Sequence, residues 1–591
     1  MMRPTLISLL VATGFALAAP AIRADQPAWI EKSNQNAQVL LDATLKFGPE
    51  GATQIGLPQY DSMVADLEPK VNERARASLV AARDELAKRA LLETDPQVHQ
   101  DLEILIKSAN DQIDTLDLNV KLTLNYTDVG KLIFFGEFYL LQDQVEAKRH
   151  PAAVERLRRY TGLVAGTTPM TELAKARWAD VAADPKLIGP YKAQVEQDLA
   201  STTQYAAGIR KLYAKYGLDK AEGATAALDA MDKQLGDYST WIRTTVLPRA
   251  RDDAKLPPEL YADNLKNVGL DISPEDLVER AELAFVEIRS EMQALAPLVA
   301  KEHGFPETDY RSVIHALKRE QLGKSEVEPY YHEVLAKIED IIRREGIVTL
   351  PDRPMIMRLA SEAETAAQPA PHMDPPPLIN NTGERGTFVL TMGNPGSGKN
   401  TGYDDFTFKA AAWTLTAHEG RPGHELQFAG MVERGVSLPR SLFAFNSVNV
   451  EGWGLYAEAE MRPYEPIDGQ LITLQLRLMR AARAFLDPLL NLGRMNRERA
   501  HEVLVNDVCL SEAMAAQELD RYMFRAPGQA TAYFYGYSRI MLLRAATELA
   551  LGAKFDRHAF NDFLVGEGLL PPDLLAAAVR EHFIPAQMAK K

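Results

Sequence analysis

Along most of the chain, apolar residues recur three and four positions apart with charged residues between them. That spacing is the mark of helices that bury one stripe. It predicts helices at about 28–46, 69–92, 95–117, 150–163, 186–216, 222–250, 274–300 and 326–345. After an interruption, further helices are expected at about 407–434, 441–461, 469–492, 496–523, 530–551 and 571–582. Ser273-Pro274 reads as a helix start, with Ser as N-cap and Pro in the first turn, and Thr168-Pro169 marks another. From Thr349 the pattern lapses, and Pro351, Pro354, Pro369, Pro371 and Pro375-Pro376-Pro377 punctuate an irregular crossing. The crossing ends in Thr387-Phe388-Val389-Leu390-Thr391-Met392, the best strand candidate. The predicted fold class is all-α with a small β element near 386–392.

A chain of 591 residues exceeds what one ordinary core requires. The change in texture divides it into a helical N-terminal lobe, 25–348, and a second lobe, 349–591, acting as one continuous unit. Ahead of them, Met1-Met2-Arg3-Pro4, an apolar run from Leu6 to about Ala19 and the small residues up to Ala24 read as a secretory signal peptide over 1–24. Cleavage is expected after Ala21 or Ala24, with a secreted or periplasmic destination. The run is shorter than the roughly 20 residues a membrane span requires, and no Cys follows it to take a lipid. Cys509, the single cysteine, lies in an apolar stretch and is expected to be an inert core thiol. The formal charge of -15 argues against nucleic acid or an anionic membrane surface as partner.

The chemistry concentrates in His418-Glu419-Gly420-Arg421-Pro422-Gly423-His424. On an ideal helix, residues six apart point about 120° away from each other and stand about 9 Å apart along the axis. No single ion bridges that, so the two His share a metal only if the helix is broken between them. Pro422 cannot donate to the carbonyl of His418, and a break is expected there. Glu451 follows His424 by 27 residues and shares a helix face with Glu458, seven further on. Two imidazoles and Glu451 can fill three positions around Zn²⁺, each at about 2.0–2.2 Å, and leave a fourth for water. Glu419 is then placed as general base, and Glu458 stands behind a ligand or meets a substrate amine. Gly393-Asn394-Pro395-Gly396-Ser397-Gly398-Lys399-Asn400 fits a phosphate loop only in part. Asn400 replaces the Ser/Thr and no good helix start follows, so the segment is read as a loop beside the site.

His-Glu-x-x-Pro-Gly-His followed by Glu-Gly-Trp-x-Leu-Tyr-x-Glu resembles the DUF885 family, a group placed with the gluzincin-type metallopeptidases. Glu518-Leu519-Asp520-Arg521-Tyr522 and Pro527-Gly528-Gln529-Ala530-Thr531-Ala532-Tyr533 are similar to further family motifs. The resemblance implies a two-lobed, neurolysin-like architecture with a deep zinc cleft. In that group a small sheet borders the cleft and a strand can pair with an extended peptide, a role that Thr387 to Met392 would suit. Tyr533 is the first choice for an oxyanion donor. Tyr537 is the second, because Gly536-Tyr537-Ser538 resembles a tyrosine loop of neurolysin-like enzymes. Arg521 would meet a substrate carboxylate or pair with Glu518 or Glu458. Asp487, Gln529 and Tyr522 are further candidates for supporting the ligands or contacting substrate. The family's D-T-G-x-H is altered here: Asp487 is retained and Asn491 stands at the His position. The expectation is an exported zinc peptidase. A non-catalytic periplasmic binding or scaffold protein, and a zinc hydrolase of another amide or ester, are the alternatives.

Overall fold

The computed structural model describes residues 27–392 and 403–590. The expected signal peptide and the Gly393-to-Asn400 loop lie outside these residues. The chain is 69% helical, with one three-stranded sheet among the described residues. Most predicted helices form close to their expected limits, among them Ala28–Thr44, Val71–Leu92, Pro96–Leu122 and Lys324–Glu345. Ser273 caps Pro274–His303 as its sequence context requires, its Oγ accepting from the Asp276 N–H at 3.0 Å.

Among the described residues, four helices of nine residues or more carry no usable signal in the sequence pattern: Val129–Leu140, Pro258–Val268, Tyr310–Lys318 and Arg557–Gly566. Val129–Leu140 buries Val129, Ile133, Phe134, Phe138 and Leu140 on several faces, which erases the polar stripe that periodicity detects. The other three are 9–11 residues long, too short for the period to stand out. Two predicted long helices are instead broken. The helix expected over 496–523 divides where Cys509 takes a left-handed conformation (φ 63°). The one expected over 407–434 divides between His418 and His424.

The sheet consists of β1 (Ile356–Leu359), β2 (His372–Asp374) and β3 (Thr387–Leu390), in the order β1-β3-β2. β3 pairs parallel with β1 and antiparallel with β2, and all four of its residues are buried. The strand read from the sequence as a partner for a peptide is therefore the central one, with both edges already used. The sheet edge that faces the cleft belongs to β2, whose His372 and Met373 line it.

The largest hydrophobic core runs from Leu277 to Phe583 and also takes in Ile104; a second gathers residues from Ala65 to Val246 with Ala363 and Ala366. Helices Pro274–His303 and Lys324–Glu345 thus pack with the part of the chain that bears His418 and His424. Between the cores lies a cleft of about 1110 Å³. Gln54, Lys131, Gln197 and Ser201 line one wall, and the motif residues line the other. Among the described residues, no helix is long and apolar enough to cross a membrane.

Candidate metal centre

The buried helix Ala411–Leu415 widens into a π-turn, Thr416–Gly420, that carries His418 and Glu419. The backbone becomes extended at Arg421, the Arg421–Pro422 bond is cis, and a new helix, His424–Arg434, begins at the second His. The helix is interrupted where the six-residue spacing requires it. Gly423 is held so close beneath the preceding turn that a Cβ there would lie 2.0 Å from the His418 carbonyl oxygen. Only glycine fits.

Two long-range contacts hold the broken segment. Trp453 Nε1 donates to the carbonyls of Pro422 (2.9 Å) and Gly423 (3.1 Å), replacing partners that the interrupted helix cannot supply. Arg421, 2% exposed, donates to Glu425 at 2.7 Å, to Glu339 at 2.8 Å and to the Arg353 carbonyl. Sequence reasoning missed this clamp, since Glu339 and Arg353 lie far back in the chain. The outcome brings the His418 and His424 rings to 4.6 Å between centroids, at 76° to each other.

Glu451 arrives on helix Ser447–Met461. Its Oε2 lies 3.5 Å from His418 Nε2 and 3.4 Å from His424 Nε2. Donors each about 2.1 Å from one tetrahedral ion stand about 3.4 Å apart, so these spacings fit a common ion. Oε2 is also buried without a hydrogen-bond partner, while Oε1 accepts from Gln529 at 3.2 Å. The donor set of two imidazoles and one carboxylate suits Zn²⁺. Glu419, half-buried, lines the cleft beside His424 and Glu451.

Behind His418, Glu458 Oε1 lies 2.7 Å from Nδ1, off the line of a hydrogen bond but within ion-pair reach, and Arg480 reaches the same oxygen at 3.2 Å. Burial works against a charge on His418, yet Glu451 and Glu458 outweigh it and hold the ring's pKa up at about 9. Burial likewise opposes charge on Glu451, but the two His hold its carboxyl well below the usual range. This field favours a positive charge between the three side chains, whether proton or metal ion. A carboxylate behind a ligating His fixes the ring and raises its basicity. Glu458→Gln is therefore expected to weaken metal binding by roughly 10–100-fold, measurable by competition with a chromophoric chelator.

Tyr533 comes from helix Ala532–Leu551, which crosses the Glu451 helix glycine to glycine. A Cβ on Gly452 would lie 2.5 Å from the Gly536 carbonyl carbon, and one on Gly536 would lie 1.9 Å from the Val448 oxygen. The close crossing stacks the Tyr533 ring beside His418, centroids 6.2 Å apart. Its hydroxyl accepts from Arg521 at 2.7 Å, and Arg483 lies 4.4 Å over its ring. Burial raises the phenol's pKa against the opposing pull of Arg521, so the hydroxyl keeps its proton and can donate it. Arg521 also donates to Gln529 and lies 3.8 Å from Glu518. Of the two partners expected for Arg521, Glu518 is the one it meets. Glu518 is bound by Arg483 through two 2.6 Å hydrogen bonds and by the Tyr522 hydroxyl at 2.7 Å. Although burial opposes its charge, Arg483 draws its pKa down to about 2.

The structure thus gathers His418, His424, Glu451, Glu419, Tyr533, Arg521 and Gln529 around one spot, with Glu458 directly behind. It does not bring Tyr537, Tyr522 or Asp487 to the cleft wall. Tyr537 lies one helical turn beyond Tyr533, under Arg477 at 5.0 Å, and Tyr522 serves Glu518. Asp487 accepts from the Gly528 N–H at 2.9 Å and from the Tyr261 hydroxyl at 2.9 Å, which anchors the turn presenting Gln529. Burial pushes its pKa up to about 7. Asn491 donates to Asp487 and to the Tyr522 carbonyl at 3.0 Å, so in this chain the altered position belongs to that anchor.

Fold and cluster together define a predominantly helical protein with a candidate His₂Glu metal centre in a cleft between two cores. The chain belongs to the DUF885 family, described as bacterial proteins of unknown function, whose profile matches residues 49–579. In fold it is similar to a putative lipoprotein from Colwellia psychrerythraea (TM-score 0.75, 19% identity, 94% of this chain and 100% of that one). A putative lipoprotein of unknown function from Shewanella oneidensis is also similar (TM-score 0.69, 17% identity, 94% and 100%). No curated protein matches the sequence.

Proposed function

We propose that this protein is an exported, zinc-dependent peptidase that cuts peptides held in the cleft between its two cores. The observation that carries the reading is the convergence of His418, His424 and Glu451 at tetrahedral ligand spacing, with Glu419 and Tyr533 facing the same cleft. His418, His424 and Glu451 would hold the ion; when bound, it supplies Lewis acidity toward a carbonyl and an acidified water. Glu419 accepts the proton of the attacking water and returns it to the leaving amine. Tyr533, whose hydroxyl accepts from Arg521, keeps its own proton to donate to the carbonyl oxygen as charge develops there. The β2 edge supports a peptide rather than a small ester, because an extended backbone can add to it as a further strand.

Tyr533→Phe is expected to lower kcat by about 10²–10³-fold with little change in KM, since its bond strengthens only in the transition state. Steady-state kinetics on one cleaved peptide read both parameters. The reading itself is tested by incubating the zinc-loaded and the chelator-treated protein with a mixed peptide library. Cleavage confined to the loaded sample supports it; cleavage of amide or ester model compounds alone would transfer the site to another substrate class.

A further inference from the structure

A second cavity, of about 1020 Å³, lies between the Pro96–Leu122 helix and the start of the Glu451 helix. It adjoins the metal cleft at Phe445, which lines both. Phe445 is 54% exposed, an aromatic ring left uncovered where two hollows meet. Its mounting is rigid. The next residue, Asn446, caps helix Ser447–Met461 by accepting from the Asn449 N–H at 2.8 Å, and its amide donates to the carbonyls of Ala444 (2.9 Å) and Leu569 (3.0 Å). The ring therefore stands six residues before Glu451 on backbone that is tied on both sides. The second cavity is lined by Phe47, Leu79, Ile104, Leu116 and Phe443, with charged residues such as Lys107, Asp111 and Lys266 also on its wall.

Pockets for small ligands measure roughly 300–1,000 Å³, and here two cavities of about that upper size share one wall residue. An occupant of both must be long, and it must offer apolar groups beyond the metal. We infer that the second cavity receives the continuation of the substrate peptide past Phe445, so that the protein takes oligopeptides carrying an apolar stretch on one side of the metal. Phe445 would be the residue that divides the two stretches and selects for an apolar side chain between them. This inference rests on the peptidase reading.

The test uses binding, so that it does not depend on turnover. Zinc-loaded Glu419→Gln protein is titrated with fluorescent peptides that share one short core and carry apolar extensions at either the N- or the C-terminal end. Affinity should rise with extension at one end only. Adding Phe445→Ala should cut that gain, read as the ratio of long to short peptide affinity, by tenfold or more. Leu116→Asp, on the far wall of the second cavity, should cut it as well and serves where Phe445→Ala disturbs folding. No gain with length at either end, or a gain that both variants leave intact, would overturn the inference. Peptides bound with the expected length dependence but not cleaved by the wild-type protein would instead defeat the peptidase reading and leave the extended binding groove standing.

Discussion

Glu419→Gln is expected to bind zinc as the wild-type protein does and to lose turnover by about 10²–10⁴-fold or more. Glu419 lines the cleft but is not one of the three side chains at ligand spacing, so losing its charge removes the proton acceptor and keeps the donors. Glutamine preserves size and cannot take a proton from water. Metal content after dialysis and kcat on one peptide measure the two halves separately. A variant that turns over peptides at the wild-type rate would remove Glu419 from the mechanism, and one that loses zinc would make it a ligand.

Gly454→Ala should damage the centre without touching a single donor. A Cβ at that position would lie 2.6 Å from His418 Cε1 and 2.9 Å from His424 Cε1, against both rings at once. Either the rings move or the Glu451 helix withdraws, and overpacking of this kind costs about 1–3 kcal/mol. Relief through the rings spoils the spacing to Glu451, so zinc affinity is expected to fall by roughly tenfold or more, at about 1.4 kcal/mol per decade. Relief through the helix appears as a lower Tm of the metal-free protein. Calorimetric zinc titration and thermal unfolding distinguish the two routes. Unchanged affinity together with an unchanged Tm would contradict the packing described for this helix.

The sequence disclosed the centre to the extent that its constraints are local. A six-residue gap containing Pro422-Gly423 demands a break, and the break is present. Glu451 and Glu458 share a helix face, and that face meets His418. What escaped notice depends on contacts across long stretches of chain. The Arg421 clamp reaches Glu339, and Trp453 serves carbonyls some thirty residues earlier. The glycines of Glu-Gly-Trp-Gly gave no periodic signal, yet each marks a place where another element comes within van der Waals reach: Gly536 for Gly452, the His pair for Gly454. The strand at Thr387–Leu390 was legible as a strand, but its central place depended on β1 and β2, short pieces in a proline-rich stretch. The same limit applies to the tyrosines. Tyr533 and Tyr537 are both aromatic positions of one helix, and only the packing turns Tyr533 toward His418.

X-ray absorption at the zinc edge of the zinc-loaded protein reads directly whether His418, His424 and Glu451 form an open metal site. The predicted first shell is two imidazole nitrogens at about 2.0–2.1 Å, one carboxylate oxygen at about 2.0–2.2 Å and one exchangeable solvent oxygen. A shell closed by a fourth side chain, or a spectrum without the two imidazoles, would contradict it.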